Sequence, residues 1–446
     1  MRRSPSIPTR PNELPVAKSN RHQLIHRPTH TNMFKQAIFR TLITALTAGF
    51  PLSATAQTSA TANLPPTVFP PYLQNPTADG MTVCFLAQGM DQVSVAWRMG
   101  AAADLAETTT GPTDSAAVSL PVPGTMWTMW RVRLSGLHGG AVVQYQVRYR
   151  SRFGGQSGVT PLARFRTLDP AAKTLRFVMF NDLHHQDKTL ASLMQFVKPE
   201  DYEFSVLLGD CLEAHPNDAE LFRAWRAYLE LLNAGEKPVV FVRGNHDTRN
   251  SFASRLAYLF DLPNLNVAQP WGEDQWQFTL RAGPVWFLAM DTGEDEDGVN
   301  TDPRTAYKQP ELWRASRRRQ AVWLKDLVAT KPGADAPWHI FLSHIPLYNN
   351  NPWDSPSSRD LWEPVLRDAN LDLMLAAHDH QWKLLQKNPG GRPPWPVLIG
   401  GGPSLNEGTV MVAAADATTL RVRLLAASDG RQLTEFTASK PSSAKP

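Results

Sequence analysis

Between Pro65 and Thr167 the chain carries short apolar runs with stretches of alternating polarity. MTVCFLA, VSVAWRM and VVQYQVRYR are rich in β-branched and aromatic residues, and turn-rich segments such as NPTADG and GLHGG separate them. Short strands at that spacing predict a small all-β sandwich over residues 65–168. No titratable cluster stands in it, which favours a structural or docking part. After the linker TLDPAAKT the pattern changes. Strand-like runs (LRFVMF, FSVLL, PVVFV, VWFLAM, HIFLS, LDLMLAA, PVLI) alternate with helical stretches, among them NDAELFRAWRAYLELLNA and RRRQAVWLKDLVAT. In the first of these, Leu221, Trp225, Tyr228, Leu229 and Leu232 share one helix face, with Asn217 or Asp218 as N-cap. The alternation predicts layered α/β architecture over residues 174–437. TVMVAAADA, TLRVRLLAA and QLTEFTA predict a closing β-meander, and SKPSSAKP a disordered tail over 438–446.

The chain has 446 residues and 42% hydrophobic positions, which fits a globular protein of two to three domains. Residues 1–56 do not read as fold. Lys35 and Arg40 precede a short apolar core, Leu42 to Phe50, and Ala54-Thr55-Ala56 makes a small-residue cleavage signal. That is the layout of a secretory signal peptide, too short for a membrane span, with Met33 as the expected start. Export places the protein in the periplasm or outside the cell, with no stable membrane span after cleavage. The same segment holds eight Lys/Arg and one Glu, leaving 37 of 45 basic and 40 of 41 acidic residues beyond it, a formal −3. The basic character therefore belongs to the leader, and no nucleic-acid partner is expected. The two cysteines, Cys84 and Cys211, fall in different predicted domains and read as free buried thiols.

Candidate chemistry sits directly after five of the strand-like runs. LRFVMF leads into Asn181-Asp182-Leu183-His184, FSVLL into Gly209-Asp210, PVVFV into Arg243-Gly244-Asn245-His246-Asp247, HIFLS into His344, and LDLMLAA into His378-Asp379-His380. In open α/β sheets the carboxyl ends of strands line the ligand crevice. One such cluster is an ordinary turn or cap. Five in succession, built from Asp, Asn and His, point to a metal centre. Carboxylates and imidazoles without thiolate suit Zn, Mn or Fe. Asp182 and His184, two apart on extended chain, can share one ion. His378 and His380 can serve two ions if the strand end curls. A carboxylate such as Asp210 can bridge a pair, which would activate water and clamp an in-line displacement at phosphorus.

The set D-x-H, GD, GNHD, H and H-x-H resembles that of the calcineurin-like metallophosphoesterases, over residues 174–437. The preceding module, with PYLQNPTADGMTV near its start, is similar to the fibronectin-III-like domain in front of purple acid phosphatases. The resemblance implies a layered αββα sandwich behind a small all-β sandwich, and an exported dinuclear-metal hydrolase. Metal-bound hydroxide would attack phosphorus in phosphomonoesters or phosphodiesters, small phosphate-ester substrates. It assigns Asp182, His184, Asp210 and His380 to a first ion and Asp210, Asn245, His344 and His378 to a second, with Fe, Mn or Zn as candidates. His246 becomes the non-ligand histidine that contacts phosphate and protonates the leaving oxygen, oriented by Asp247 through its other ring nitrogen. Four positions depart from the pattern. Glu213 stands where purple acid phosphatases carry a tyrosine, and His184 where they lack a ligand, so no tyrosinate colour is expected. Ala377 replaces a glycine, and Cys211 follows the bridging Asp210, where a packed thiol is expected.

Other polar features are weaker. His185 reads as an exposed loop residue, His215 and Arg243 as candidate phosphate contacts, and GEDEDGVNTD as a solvated loop. IGGGPS lacks the lysine of a phosphate loop and reads as a turn. The competing class is a catalytically silent surface binding protein with a structural metal site, against which the intact His246–Asp247 pair argues.

Overall fold

The structure is a computed structural model. It describes residues 64–441 apart from 101–113, 153, 155–156, 213–217, 250–251, 266, 268–274, 295–309, 332 and 350–355. The leader, Glu213, His215, Asn217 and the tail from 442 lie outside the described residues.

Two antiparallel sheets come first. One orders Tyr72–Gln74, Gly80–Gln88, Trp127–Ser135 and Val118–Pro121, and the other centres on Met90–Met99 and Val142–Ser151. Alternation along Gly80–Gln88 sends Val83, Phe85 and Ala87 into the module's own core, while Cys84 and Leu86 join the main core of the protein. A strand can divide its side chains in this way because successive Cβ atoms point to opposite faces. The module is therefore not an appended bead. Arg131 donates to the carbonyls of Ala257 (2.9 Å) and Tyr258 (3.0 Å) and pairs with Asp261, and Tyr72 Oη donates to Leu259 O at 2.7 Å. Arg226 reaches back to Val68 O at 2.7 Å and covers the Phe69 ring.

Two six-stranded mixed sheets follow. The first runs Val239–Val242, Phe204–Leu208 and Thr174–Phe180 in parallel, then Thr409–Asp416, Thr419–Ala426 and Gln432–Ser439 antiparallel. The expected meander thus completes a sheet begun more than 200 residues earlier. The second runs Val285–Ala289, Trp338–Leu342, Leu373–Ala376 and Val397–Ile399 in parallel, with antiparallel Phe278–Ala282 and Lys383–Leu385 at its edges.

The layering follows from the side chains. Val285, Phe287 and Ala289 enter the central core, where Phe287 meets Phe177 of the other sheet edge-on at 5.0 Å. Trp286 and Leu288 face the opposite way, into a separate cluster with Leu324 of helix Pro310–Ala329 and Trp362 of helix Pro356–Leu366. Strands buried on both faces read as continuous apolar runs, as these do. Helix Asp218–Leu231 buries Leu221, Trp225, Tyr228 and Leu229 in the central core, the face its spacing predicts. The result is an αββα sandwich. Cys84 and Cys211 are free and buried.

Candidate metal centre

The carboxyl ends of both sheets meet at one rim, and backbone bonds stitch neighbouring ends within each sheet. Asp182 N donates to Gly209 O (3.1 Å), His184 N to Asp210 O (2.8 Å) and Ala377 N to His344 O (2.9 Å). His378 N donates to Asp182 Oδ2 across the two sheets at 3.0 Å. The ends are sharply bent. Asp182, His184, His185, Asp210, His378 and His380 all have positive φ, six of the ten non-glycine residues with that conformation among the described residues. A left-handed residue with a Cβ costs about 1–2 kcal/mol, and such strain persists where surrounding structure holds it, characteristically at functional sites.

The bends sort the side chains into two groups whose ligating atoms lie within 4.8 Å of one another: Asp182, His184 and His380, and Asp210, His344 and His378. His378 and His380 thus part company, each to its own group. Asp210 Oδ2 lies 3.1 Å from His344 Nε2 and 3.8 Å from His184 Nε2, so it faces both. The Asn245 carboxamide sits beside His378 Nδ1 at 3.1 Å. All seven candidate ligands are therefore together. Ala377 is buried and outside the left-handed region, so its methyl is accommodated at the bend.

The cluster carries the marks of a cation site. Asp182 Oδ1 is buried without a hydrogen-bond partner and is ringed by Nε2 of His380 (3.4 Å), His344 (3.8 Å) and His184 (3.9 Å). His184 and His380 point their Nε2 atoms at each other at 3.2 Å. Imidazole nitrogens and an unpartnered carboxylate oxygen aimed at one point suit a hard or borderline divalent or trivalent ion. The rear of the site is already fixed. His344 Nδ1 sits 2.9 Å from Leu208 O, which makes Nδ1 the protonated nitrogen and leaves Nε2 for the centre. Asn181 Nδ2 holds Asp182 Oδ2 at 2.8 Å and Gly401 O at 2.6 Å. The glycine run after Val397–Ile399 is a turn without a phosphate cradle. A Cβ at Gly402 would lie 2.8 Å from His380 Cβ, so the backbone passes too close for side chains.

Electrostatics follow from crowding. Burial alone would depress the His344 imidazole, but the Asp210 and Asp182 carboxylates overrule it and push it up to about 10. Burial would raise Asp210, yet His344 and His246 hold it well below the usual carboxylate range, and Asp182 is lowered against burial by His344 and His380. Burial and then the Asp210 charge push Asp247 up to about 7. Burial, with Asp247 next, pushes the Cys211 thiol up; its Sγ donates to Gly209 O at 3.2 Å, and it belongs to neither ligand group.

Several expectations need correction. Asp247 does not spend its carboxylate on the His246 ring. Its oxygens accept from the backbone amides of Asp210 (2.9 Å), Gly244 (2.8 Å) and Leu212 (3.3 Å), clamping two strand ends together. His246, half-buried, instead places Nε2 at 2.8 Å from Arg249 Nη1, while its backbone N–H donates to Asp210 Oδ1 at 2.8 Å. Arg243 is no phosphate contact. It is buried against the faces of Trp276 and Trp313 and paired with Asp291. His185 is buried, not exposed. The start of the supposed solvated loop is interior as well: Glu294 is fully buried and holds Arg249 through both oxygens, at 2.6 and 2.7 Å. The signal for this pair was available. VWFLAM is a sixth strand end, followed by Asp291 and Glu294, and Arg249 stands three residues past His246.

Residues 175–382 match the calcineurin-like phosphoesterase family model. Among curated proteins the chain is 24% identical to purple acid phosphatase 22 of Arabidopsis thaliana over 250 residues, 55% of this chain and 52% of that one. It is 26% identical to acid phosphatase type 7 of Homo sapiens over 270 residues, 56% of this chain and 55% of the relative. It spans about half the length of these curated relatives. Among solved structures, a purple acid phosphatase from yellow lupin (Lupinus luteus) seeds superposes with a TM-score of 0.63. That match covers 83% of this chain and 74% of the other at 16% identity, a likeness of fold.

Proposed function

We propose that this chain, a calcineurin-like metallophosphoesterase related to the purple acid phosphatases, is an exported dinuclear-metal phosphohydrolase acting on phosphomonoesters or phosphodiesters. One observation carries this: two three-residue ligand groups face a common carboxylate, Asp210, and His246 stands beside them without belonging to either. Asp182, His184, Asp210 and His380 would hold one ion, and Asp210, Asn245, His344 and His378 the other, with Fe, Mn or Zn suited to the donors. When bound, such a pair lowers the pKa of water and neutralises charge on phosphoryl oxygens.

The chain's own residues do the rest. Leu208 O fixes His344 from behind, and Asn181 fixes Asp182. Asp247 holds Asp210 and Gly244 in register through their amides. His246, ring to ring with His184 at 4.7 Å, is placed to hand a proton to a leaving oxygen. The segment over 65–168 acts as a buttress, since Arg131 and Tyr72 grip the loop that follows the His246 turn; the catalytic part covers 174–437. The leader sequence supports a place of action in the periplasm or outside the cell.

The test is hydrolysis of an aryl phosphate monoester and its matched diester by mature protein loaded in turn with Mn, Zn and Fe, with D210N as control. The expected result is hydrolysis that D210N abolishes, the ester ratio setting the substrate class. Two bound ions per chain without hydrolysis of either ester would refute the hydrolase reading and favour a binding protein.

A further inference from the structure

We infer that Arg249 is a phosphate-contacting residue of this site, with Glu294 as its positioning residue; the inference rests on the phosphohydrolase reading. Arg249 follows His246 by one short helical turn and reaches the rim of the metal centre. Its Nη1 lies 2.8 Å from His246 Nε2 and its Nη2 2.8 Å from the Asn245 carboxamide. The same guanidinium makes a fork-to-fork pair with Glu294, whose carboxylate is fully buried. A bidentate pair of this kind fixes the plane of the guanidinium as well as its place. Glu294 therefore aims the Nη1 edge at the reaction centre.

Donors gathered at the rim suit an anion. A guanidinium only donates, so His246 Nε2 is its acceptor and the ring proton sits on Nδ1. The Asn245 carboxamide can be seated two ways. With its nitrogen inward it donates to Asp210 Oδ2 at 3.2 Å, and its oxygen accepts from Arg249 at 2.8 Å. With its oxygen inward, as a metal ligand requires, its NH2 group faces the Arg249 NH2 group, donor against donor. A phosphoryl oxygen at the rim can accept from both groups. The site holds no other described arginine in that place, because Arg243 is bound up with Asp291 and two indoles.

Inorganic phosphate is the probe. Its affinity is measured calorimetrically on metal-loaded wild type, R249M, R249K and E294Q, alongside metal content and ester hydrolysis. Loss of a charge-assisted hydrogen bond predicts roughly 10- to 100-fold weaker phosphate binding in R249M with two ions retained. R249K should recover part of the loss, because it restores charge without the fork. E294Q should weaken phosphate less than R249M and raise KM before it lowers kcat. Phosphate affinity within twofold of wild type in R249M overturns the inference. If R249M loses its ions, R249K decides, and unchanged affinity there overturns it equally. Failure of the hydrolase reading looks different: wild type would bind phosphate in an Arg249-dependent way yet cleave neither ester.

Discussion

The glycines that open the GD and GNHD segments are required by contact between two strand ends, and their replacement has a calculable cost. Gly209 has φ +75°, where any residue with a Cβ loses about 1–2 kcal/mol. A methyl there would also lie 2.5 Å from His344 Cγ and 2.7 Å from Gly244 Cα. Neither neighbour can swing away: the imidazole is pinned by Leu208 O, and the other is backbone. Overpacking of that kind adds about 1–3 kcal/mol. Gly209→Ala should therefore cost about 2–5 kcal/mol, combining the conformational and packing costs. Gly244 lacks the positive φ, but its methyl would lie 2.5 Å from Asp210 N and 2.9 Å from Gly209 Cα. Gly244→Ala should cost only the packing part, about 1–3 kcal/mol, while displacing Asp210. Urea unfolding of chelator-treated protein measures the stability, and metal analysis of reloaded protein counts the ions. Either variant unfolding within about 0.5 kcal/mol of wild type with two ions per chain would refute the reasoning, because a free surface position behaves that way.

Three further outcomes are expected. His344 keeps its proton up to about pH 10 in the metal-free cluster, whereas a ligating imidazole must be neutral. Loading ions at pH 8 should therefore release protons, counted by potentiometry, and apparent metal affinity should rise with pH towards 10. By the same sign, the raised pKa stabilises metal-free protein fully below about pH 6.5 and ceases to do so as pH passes 10, which thermal melts across that window would register. Arg131→Met leaves the carbonyls of Ala257 and Tyr258 short of donors beside an Asp261 held only by Thr82 and Asn75; a loss of about 2–4 kcal/mol in chemical unfolding is expected, and a neutral result would show that the all-β module is not gripped there. Burial shields Cys84 and Cys211 and pushes both thiols up, so a thiol reagent at pH 8 should modify neither in native protein and both after denaturation.

Much of the site was legible because its signal is local. A strand buried on both faces reads as a continuous apolar run, and the first polar residues after it stand at the rim of the sheet. Asp182, His184, Asp210, Asn245, His344, His378 and His380 are each placed at the rim that way, and their types suit a metal. Glu294 escaped because the acidic residues after it resemble a solvated loop, although it also follows a strand. Asp247 was named, but its role was not legible. Its neighbour in sequence is His246, but its carboxylate faces amides on another strand, and no spacing encodes that.

The sequence by itself determined the order of elements, their faces and the chemistry of the rim, since periodicity and residue type act over a few positions. Tertiary structure alone decided which sheet the closing meander joined and how Cys84 and Leu86 of the front module entered the main core. It alone paired Arg243 with Asp291 and Arg249 with Glu294. Each of those depends on burial and on partners tens to hundreds of residues away. A charge is structural or functional according to what desolvates it and what pairs with it, and both are properties of the packed molecule.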